Sequence, residues 1–388
     1  MNKRFHIKSG FRRKLLIFGG LLLFAVFQVM SLGGQTENPQ VDVHQKNLQD
    51  SAPKEPFKAG DFIIDHIIDA HEWHILTLGN FDLTLPLPII LWHKGALHVF
   101  MSGRFNHGHS QYKGFAIPRE GDNKGKIVEM ITSRNQDDGL ITTVENEELP
   151  LDFSITKNVL AIFISGILLT WLFVSIARTY RRRSGKAPKG IQSILEPLIL
   201  FVRDDIAKAS IGEKKYDRFM PFLLTLFFFI FFNNLLGLVP IFPGGANVTG
   251  NIAVTGVLAL FTFFVTNLGA ERSYWVHIFN TPSVPWWLKI PIPLMPVVEL
   301  LGVFTKPLVL MVRLFANMTA GHIIVMGFFS LIFIFGEMGA AAGYSISVVS
   351  VMFSIFMNML ELLVAFIQAY VFTLLSAIYF GMAVDDGH

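Results

Sequence analysis

The chain has 388 residues, of which 52% are hydrophobic and 16% charged, with 38 phenylalanines and a formal net charge of +3. Soluble domains average about 25% charged residues, so this composition excludes a soluble globular fold and marks a polytopic membrane protein. Cysteine is absent, which excludes disulfides, thiolate metal sites and a lipoprotein anchor. The charges are also segregated: between Phe219 and Val384 they are confined to Glu271, Arg272, Lys289, Glu299, Lys306, Arg313, Glu337 and Glu361.

Residues 1–33 place Lys3, Arg4, Lys8, Arg12, Arg13 and Lys14 ahead of the apolar run Leu15–Met30. That is the pattern of a secretory signal peptide. Val29-Met30-Ser31 fits a small-x-small cleavage site poorly, so an uncleaved N-terminal anchor is the alternative. Either one sends residues 34–155 to the outer side of the membrane as an extracytoplasmic N-terminal region. Gln35–Pro56 is polar and has little to bury, which predicts a disordered linker.

Phe62–His74 repeats Ile and Phe at helical spacing and predicts an amphipathic interfacial helix. Phe81–Ile90, Leu97–Ser102 and Lys126–Ser133 predict strands, with a turn at Gly121–Lys126. His71-Glu-Trp-His74 misses the His-Glu-x-x-His zinc pattern by one residue, so the two imidazoles do not share a helix face. No metal and no cofactor is expected.

Asn158–Ala177 is apolar and of spanning length. The cluster Arg178, Arg181, Arg182, Arg183, Lys186 and Lys189 behind it marks the cytoplasmic side. Gly190–Arg218 predicts a mixed-charge cytoplasmic helix or hairpin. Phe219–Val239 returns outward, Pro240–Asn247 turns, and Asn251–Ala270 comes back in. Ser273–Met295, with Trp275, Trp286 and Trp287, predicts an interfacial loop on the cytoplasmic side.

Pro296–Phe335 and Tyr344–Val384 are each about 40 residues long, about 60 Å as helices and twice the hydrocarbon thickness. No polar loop divides either. The predicted fold is therefore an all-α polytopic membrane protein of about five membrane helices. They end in a long, strongly tilted helical hairpin that turns across Gly336–Gly343, and a small extracytoplasmic β-containing region precedes them.

Within that hairpin, Arg313 is a charge at bilayer depth, which costs roughly 3 kcal/mol on insertion scales and points to function. At about 100° per residue, Glu299, Lys306, Arg313 and Asn317 lie within about 40° of one direction, and His322 points to the opposite side. On the following helix Asn358, Glu361, Gln368 and Ser376 share a face, with Tyr379 nearby. Asn233 and Asn234 sit at the outward end of the second span. A buried Glu and a His can both exchange protons near neutral pH.

At these residues the chain resembles the subunit a family of F-type ATP synthases. The resemblance rests on Arg313-Leu-Phe-Ala-Asn317-Met, Thr305-Lys306-Pro307, Gln368–Tyr379, Asn233-Asn-Leu-Leu-Gly-Leu-Val-Pro240 and Asn247-Val-Thr249. It covers roughly residues 155–388, making 156–388 the membrane domain.

The resemblance implies a stationary proton-conducting subunit of a rotary motor, not catalytic alone. It implies two half-channels that meet a ring of c subunits on either side of an essential arginine, Arg313. It also implies an outer path through Glu361, His322, Gln368, Asn317 and Asn234, and a cytoplasmic-side path near Glu299 and Lys306. His322 on the first long helix and Glu361 on the second resembles the mitochondrial arrangement. Val239 and Gly245 stand where some bacterial members have an aspartate, with Glu337 as the compensating acid. The implied partners are the c-ring, the b-subunit peripheral stalk, the remaining synthase subunits and membrane lipid, with no nucleic acid. The implied location is the bacterial inner membrane, with the C-terminus in the cytoplasm. A self-contained proton-coupled secondary transporter is the alternative. Transporters are commonly built from internal repeats, and none is visible here.

Overall fold

The computed structural model describes residues 59–78, 81–106, 108–118, 121, 123–134, 141–145, 148–182, 187–239, 242–279 and 294–385. The expectations for residues 1–58, signal or anchor and linker alike, lie outside them, as do Trp286 and Trp287. Within the described residues two compact units emerge: 161–321 with 358–385, and 59–160 with 322–357.

The second unit holds the small β region. Helix α1 (Ala59–Ile67) is followed by strands β1 (Glu72–Leu78), β2 (Phe81–Pro86), β3 (Pro88–His93) and β4 (Ala96–Met101). Strands β5 (Phe115–Ala116), β6 (Val128–Arg134), β7 (Ile141–Glu145) and β8 (Leu151–Asp152) complete it. They form three antiparallel sheets ordered β1-β2, β4-β3-β8 and β5-β6-β7.

The predicted helix over Phe62–His74 is thus half right. It stops at Ile67, and Glu72–Leu78 pairs with β2 instead. Ladder hydrogen bonds to Phe81–Pro86, the next strand along the chain, override the local helical spacing of Ile and Phe. The predicted Phe81–Ile90 strand is two strands, broken at Leu87. Ile89, Leu91, Phe100, Phe105, Phe115 and Ile127 form the core of this region.

The β region is hydrogen-bonded to the opening turn of α2 (Lys157–Arg182), a spanning helix. Thr156 Oγ1 and the Asn158 N–H donate to Asp69 at 2.7 and 3.0 Å, and the Lys157 N–H donates to the Ala70 carbonyl at 2.9 Å. The Asp69 carboxylate therefore caps α2 from outside the helix, satisfying orphan donors of its first turn. Burial pushes the Asp69 carboxyl above the usual carboxylate range. Next to it Asp152 accepts from His71 Nε2 at 2.7 Å and from the Ser154 N–H at 2.8 Å. Burial opposes ionisation of Asp152 as well, but its His71 and Ser154 partners outweigh that and leave it below the usual range.

Helices α3 (Ile191–Phe201), α4 (Tyr216–Leu238), α5 (Ile252–Gly269) and α6 (Arg272–Phe279) follow, then two helices of 45 residues each, α7 (Leu294–Met338) and α8 (Ala340–Val384). A π-helical stretch, Val202–Lys208, continues α3. Among the described residues, five helices (α2, α4, α5, α7 and α8) are long and apolar enough to cross a membrane.

The α7–α8 turn is tighter than the sequence suggests. Helix continues to Met338, reverses at Gly339 with φ +150°, and resumes at Ala340. Gly336 and Gly343 serve a close approach instead of a loop: a Cβ on Gly343 would lie 3.0 Å from the Gly336 Cα. Phe328 and Phe353 stack across the same pair of helices at 5.2 Å.

The far end of α8 is clamped. Lys215 Nζ donates to Glu271 at 2.9 Å and to the Val384 carbonyl at 2.6 Å, and the Glu271 N–H donates to the Ala383 carbonyl at 2.8 Å. Gly381 packs so closely on the Ser210 carbonyl that a Cβ has no room. Gly381→Ala should lower the stability of the detergent-solubilised protein by about 1–3 kcal/mol through overpacking, read as a fall in Tm.

Candidate functional site

The first unit buries polar side chains where apolar packing would be simpler. Buried polar groups in an apolar bundle need partners or mark a path, and here they gather in two places along α7 and α8.

The first group lies where α4 ends and α5 begins. Asn234, near the C-terminus of α4, is buried; its Nδ2 donates to the Ala365 carbonyl at 3.3 Å, and its Oδ1 accepts from Thr249 Oγ1 at 2.5 Å. The Asn251 side chain caps α5 by accepting from the Ala253 N–H at 2.9 Å. Glu361 and Gln368, two turns apart on α8, are each only 6% exposed. The Glu361 carboxylate occupies the space that a side chain at position 321 would need, so any larger residue there would push the carboxylate aside. Thr319 Oγ1 donates to the Gly250 carbonyl at 3.4 Å, tying α7 to the loop before α5.

The second group surrounds a small cleft lined by Thr262, Thr266, Asn267, Tyr274, Lys306 and Tyr379, with Phe263, Val303, Pro307 and Met382. Lys306 is half-buried and its Nζ sits 5.7 Å above the Tyr379 ring. Thr262 Oγ1 and Ser376 Oγ meet at 3.3 Å in the buried interior behind it. Burial, and then the Glu299 carboxylate, push the Tyr274 phenol above its ordinary value.

Arg313 lies on α7 between the groups, about 10 Å along the axis from Lys306 and about 12 Å from Gly321. Its side chain is exposed and, among the described residues, forms no ion pair; the Tyr379 phenol is within its electrostatic reach. Asn317, one turn on, is also exposed. The buried side of the helix is Val303, Leu310, Leu314, Met318 and Val325, so the arginine flanks the packed stripe instead of facing into it. His322 is half-buried and belongs to the other compact unit.

The structure therefore brings together Asn234, Glu361 and Gln368, groups Lys306 with Tyr379, and leaves Arg313 and Asn317 on an open surface. Thr262, Thr266, Asn267 and Tyr274 were not anticipated. The spacing of Thr255, Thr262 and Thr266 by seven and four residues, which stacks three hydroxyls on one face of α5, is the signal that could have found them. Thr249→Val would leave the buried Asn234 Oδ1 without this donor. It should cost about 1–3 kcal/mol, measured as lost thermal stability beside the milder Thr249→Ser.

Residues 159–381 match the family model described as ATP synthase A chain, and residues 62–153 match one described as Domain of unknown function (DUF8433). Among curated proteins, ATP synthase subunit a of Chloroherpeton thalassium is 44% identical over 263 residues, 64% of this chain and 74% of that one. ATP synthase subunit a of Myxococcus xanthus is 44% identical over 259 residues, 63% of this chain and 80% of that one. The subunit a of Pelodictyon phaeoclathratiforme is 42% identical over 247 residues, 61% and 68% of the two chains.

Proposed function

We propose that this chain, which belongs to the ATP synthase A chain family, is the stationary proton-conducting subunit of a rotary F-type ATP synthase. The observation that carries the reading is Arg313: an exposed guanidinium on an apolar helix, flanked along that helix by two separate polar groups. A charge there is costly against lipid and useful against a partner that brings a carboxylate. A ring of c subunits is that partner, held against the arginine with the help of a b-subunit stalk and the other synthase subunits.

In this mechanism the Asn234, Glu361 and Gln368 group, with Asn317, forms the half-channel open to the outer side, and His322 enters that path only as the resemblance to the family implies. The cleft at Lys306 and Tyr379, with Glu299 at its mouth, forms the one open to the cytoplasm. A proton enters by one, rides a ring carboxylate and leaves by the other. Arginine cannot shed its proton in a protein, so Arg313 holds the passing carboxylate ionised and blocks a direct hop between the channels. Lysine desolvated in that place would deprotonate and leak. Each charge moved across 100 mV supplies about 2.3 kcal/mol. Arg178, Arg181 and Arg182 at the end of α2 set that end in the cytoplasm of a bacterial inner membrane. The β region is then extracytoplasmic and the C-terminus cytoplasmic.

Arg313→Ala should abolish ATP-driven proton pumping in inverted vesicles while leaving a passive proton leak; retained coupled pumping would overturn the mechanism. Co-purification is a companion check, because the chain must carry a small proteolipid with one membrane carboxylate. A chain that transports protons alone is instead a transporter. Glu361→Gln should slow proton flux roughly 10-fold or more by removing the titrating group. Gly321→Leu should mimic it by displacing the carboxylate. Normal flux in both variants removes Glu361 from the path.

A further inference from the structure

We propose that the outward face of the β4-β3-β8 sheet rests on the lipid surface of the membrane, with Trp92 as its interfacial anchor. The sheet has two unlike faces. One carries Ile89, Leu91 and Phe100 into the core of the β region. The other carries Trp92, Leu97, Val99, Met101 and Leu151, which are 45%, 59%, 55%, 47% and 43% exposed. These five are contiguous, because Trp92 pairs with both Leu97 and Leu151, Ile90 with Val99, and Pro88 with Met101.

An antiparallel sheet with one solvated face ordinarily alternates apolar-in and polar-out. Here both sets are apolar, and an exposed apolar patch of this kind marks an interaction surface.

Continuity with the membrane helix identifies the occupant. Beyond β8 the chain keeps its hydrogen bonds to β3: the Phe153 N–H donates to the Ile90 carbonyl at 2.8 Å and the Ile155 N–H to the Pro88 carbonyl at 3.0 Å. Leu151, Phe153 and Ile155 thus alternate on the outward side, while Ser154 is buried on the other. Two residues after Ile155, α2 begins and enters lipid. Only Thr156, Lys157 and Asn158, all held by hydrogen bonds to Asp69 and Ala70, separate this apolar stripe from the apolar body of α2, and six residues of strand make the stripe about 20 Å long. Tryptophan at a membrane–water boundary places its ring at headgroup depth, which suits a half-exposed Trp92 in the middle of the patch.

The chain has no cysteine of its own, so single substitutions can be labelled within the whole complex. Leu97→Cys and Val99→Cys would carry a bimane label, with Gln111→Cys, an exposed position outside the strands and helices, as reference and the unsubstituted complex as blank. In vesicles of phosphatidylcholine and phosphatidylglycerol, a nitroxide-bearing lipid should quench the labels at Leu97→Cys and Val99→Cys about twofold more than the reference, since they sit at headgroup depth. Aqueous iodide should quench them correspondingly less. Iodide quenching equal to the reference overturns the proposal by showing an open, water-facing patch. Protection from both quenchers overturns it too, by showing that another protein subunit or a second copy covers the sheet.

Discussion

A carboxylate that is almost fully buried among hydrocarbon side chains dictates what surrounds it. Glu361 is 6% exposed on α8, and the neighbouring backbone of α7 makes room for it with a glycine at 321. From that approach the rest of the first unit follows. Gln368 sits two turns further along the same side of α8. Asn234 reaches the α8 backbone at Ala365, and Thr249 holds Asn234 in turn. The helices are nearly featureless in composition, so side-chain polarity, not hydrophobic patterning, fixes their rotation. Among helices as apolar as lipid tails, small residues and interhelical hydrogen bonds are what remain to specify packing.

The same logic explains the other end of α8. A 45-residue helix anchored at one point leaves its remote end free to swing. Lys215, Glu271 and the carbonyls of Ala383 and Val384 close that freedom, and the contact of Gly381 with Ser210 removes the remaining slack. Tyr379 lies inside this clamped stretch, which sets its ring under Lys306 and brings it within the field of Arg313.

Much of this was legible in the sequence. Long apolar runs identify spanning helices directly, because a helix in lipid must satisfy its own backbone and therefore reads as composition. The isolated charges Arg313, Glu299, Lys306 and Glu361 stand out against such a background. What escaped was of two kinds. Thr262, Thr266 and Asn267 return their side chains to backbone carbonyls of the preceding turn, so in sequence they pass for ordinary helix residues. In the β region, local spacing at Phe62–His74 resembles a helix throughout, and only strand pairing with Phe81–Pro86 ends it. The Ile and Phe spacing on its own carries no sign of the hairpin that the next strand closes upon it.

The junction at residues 151–158 has a mechanical consequence. A flexible linker would let the β region tumble independently of the helix behind it. Here the strand, the Asp69 cap and the first turn of α2 are one hydrogen-bonded piece. A twist applied to the last strand is therefore carried by the Asp69 carboxylate straight into the opening turn of α2, and the reverse holds as well.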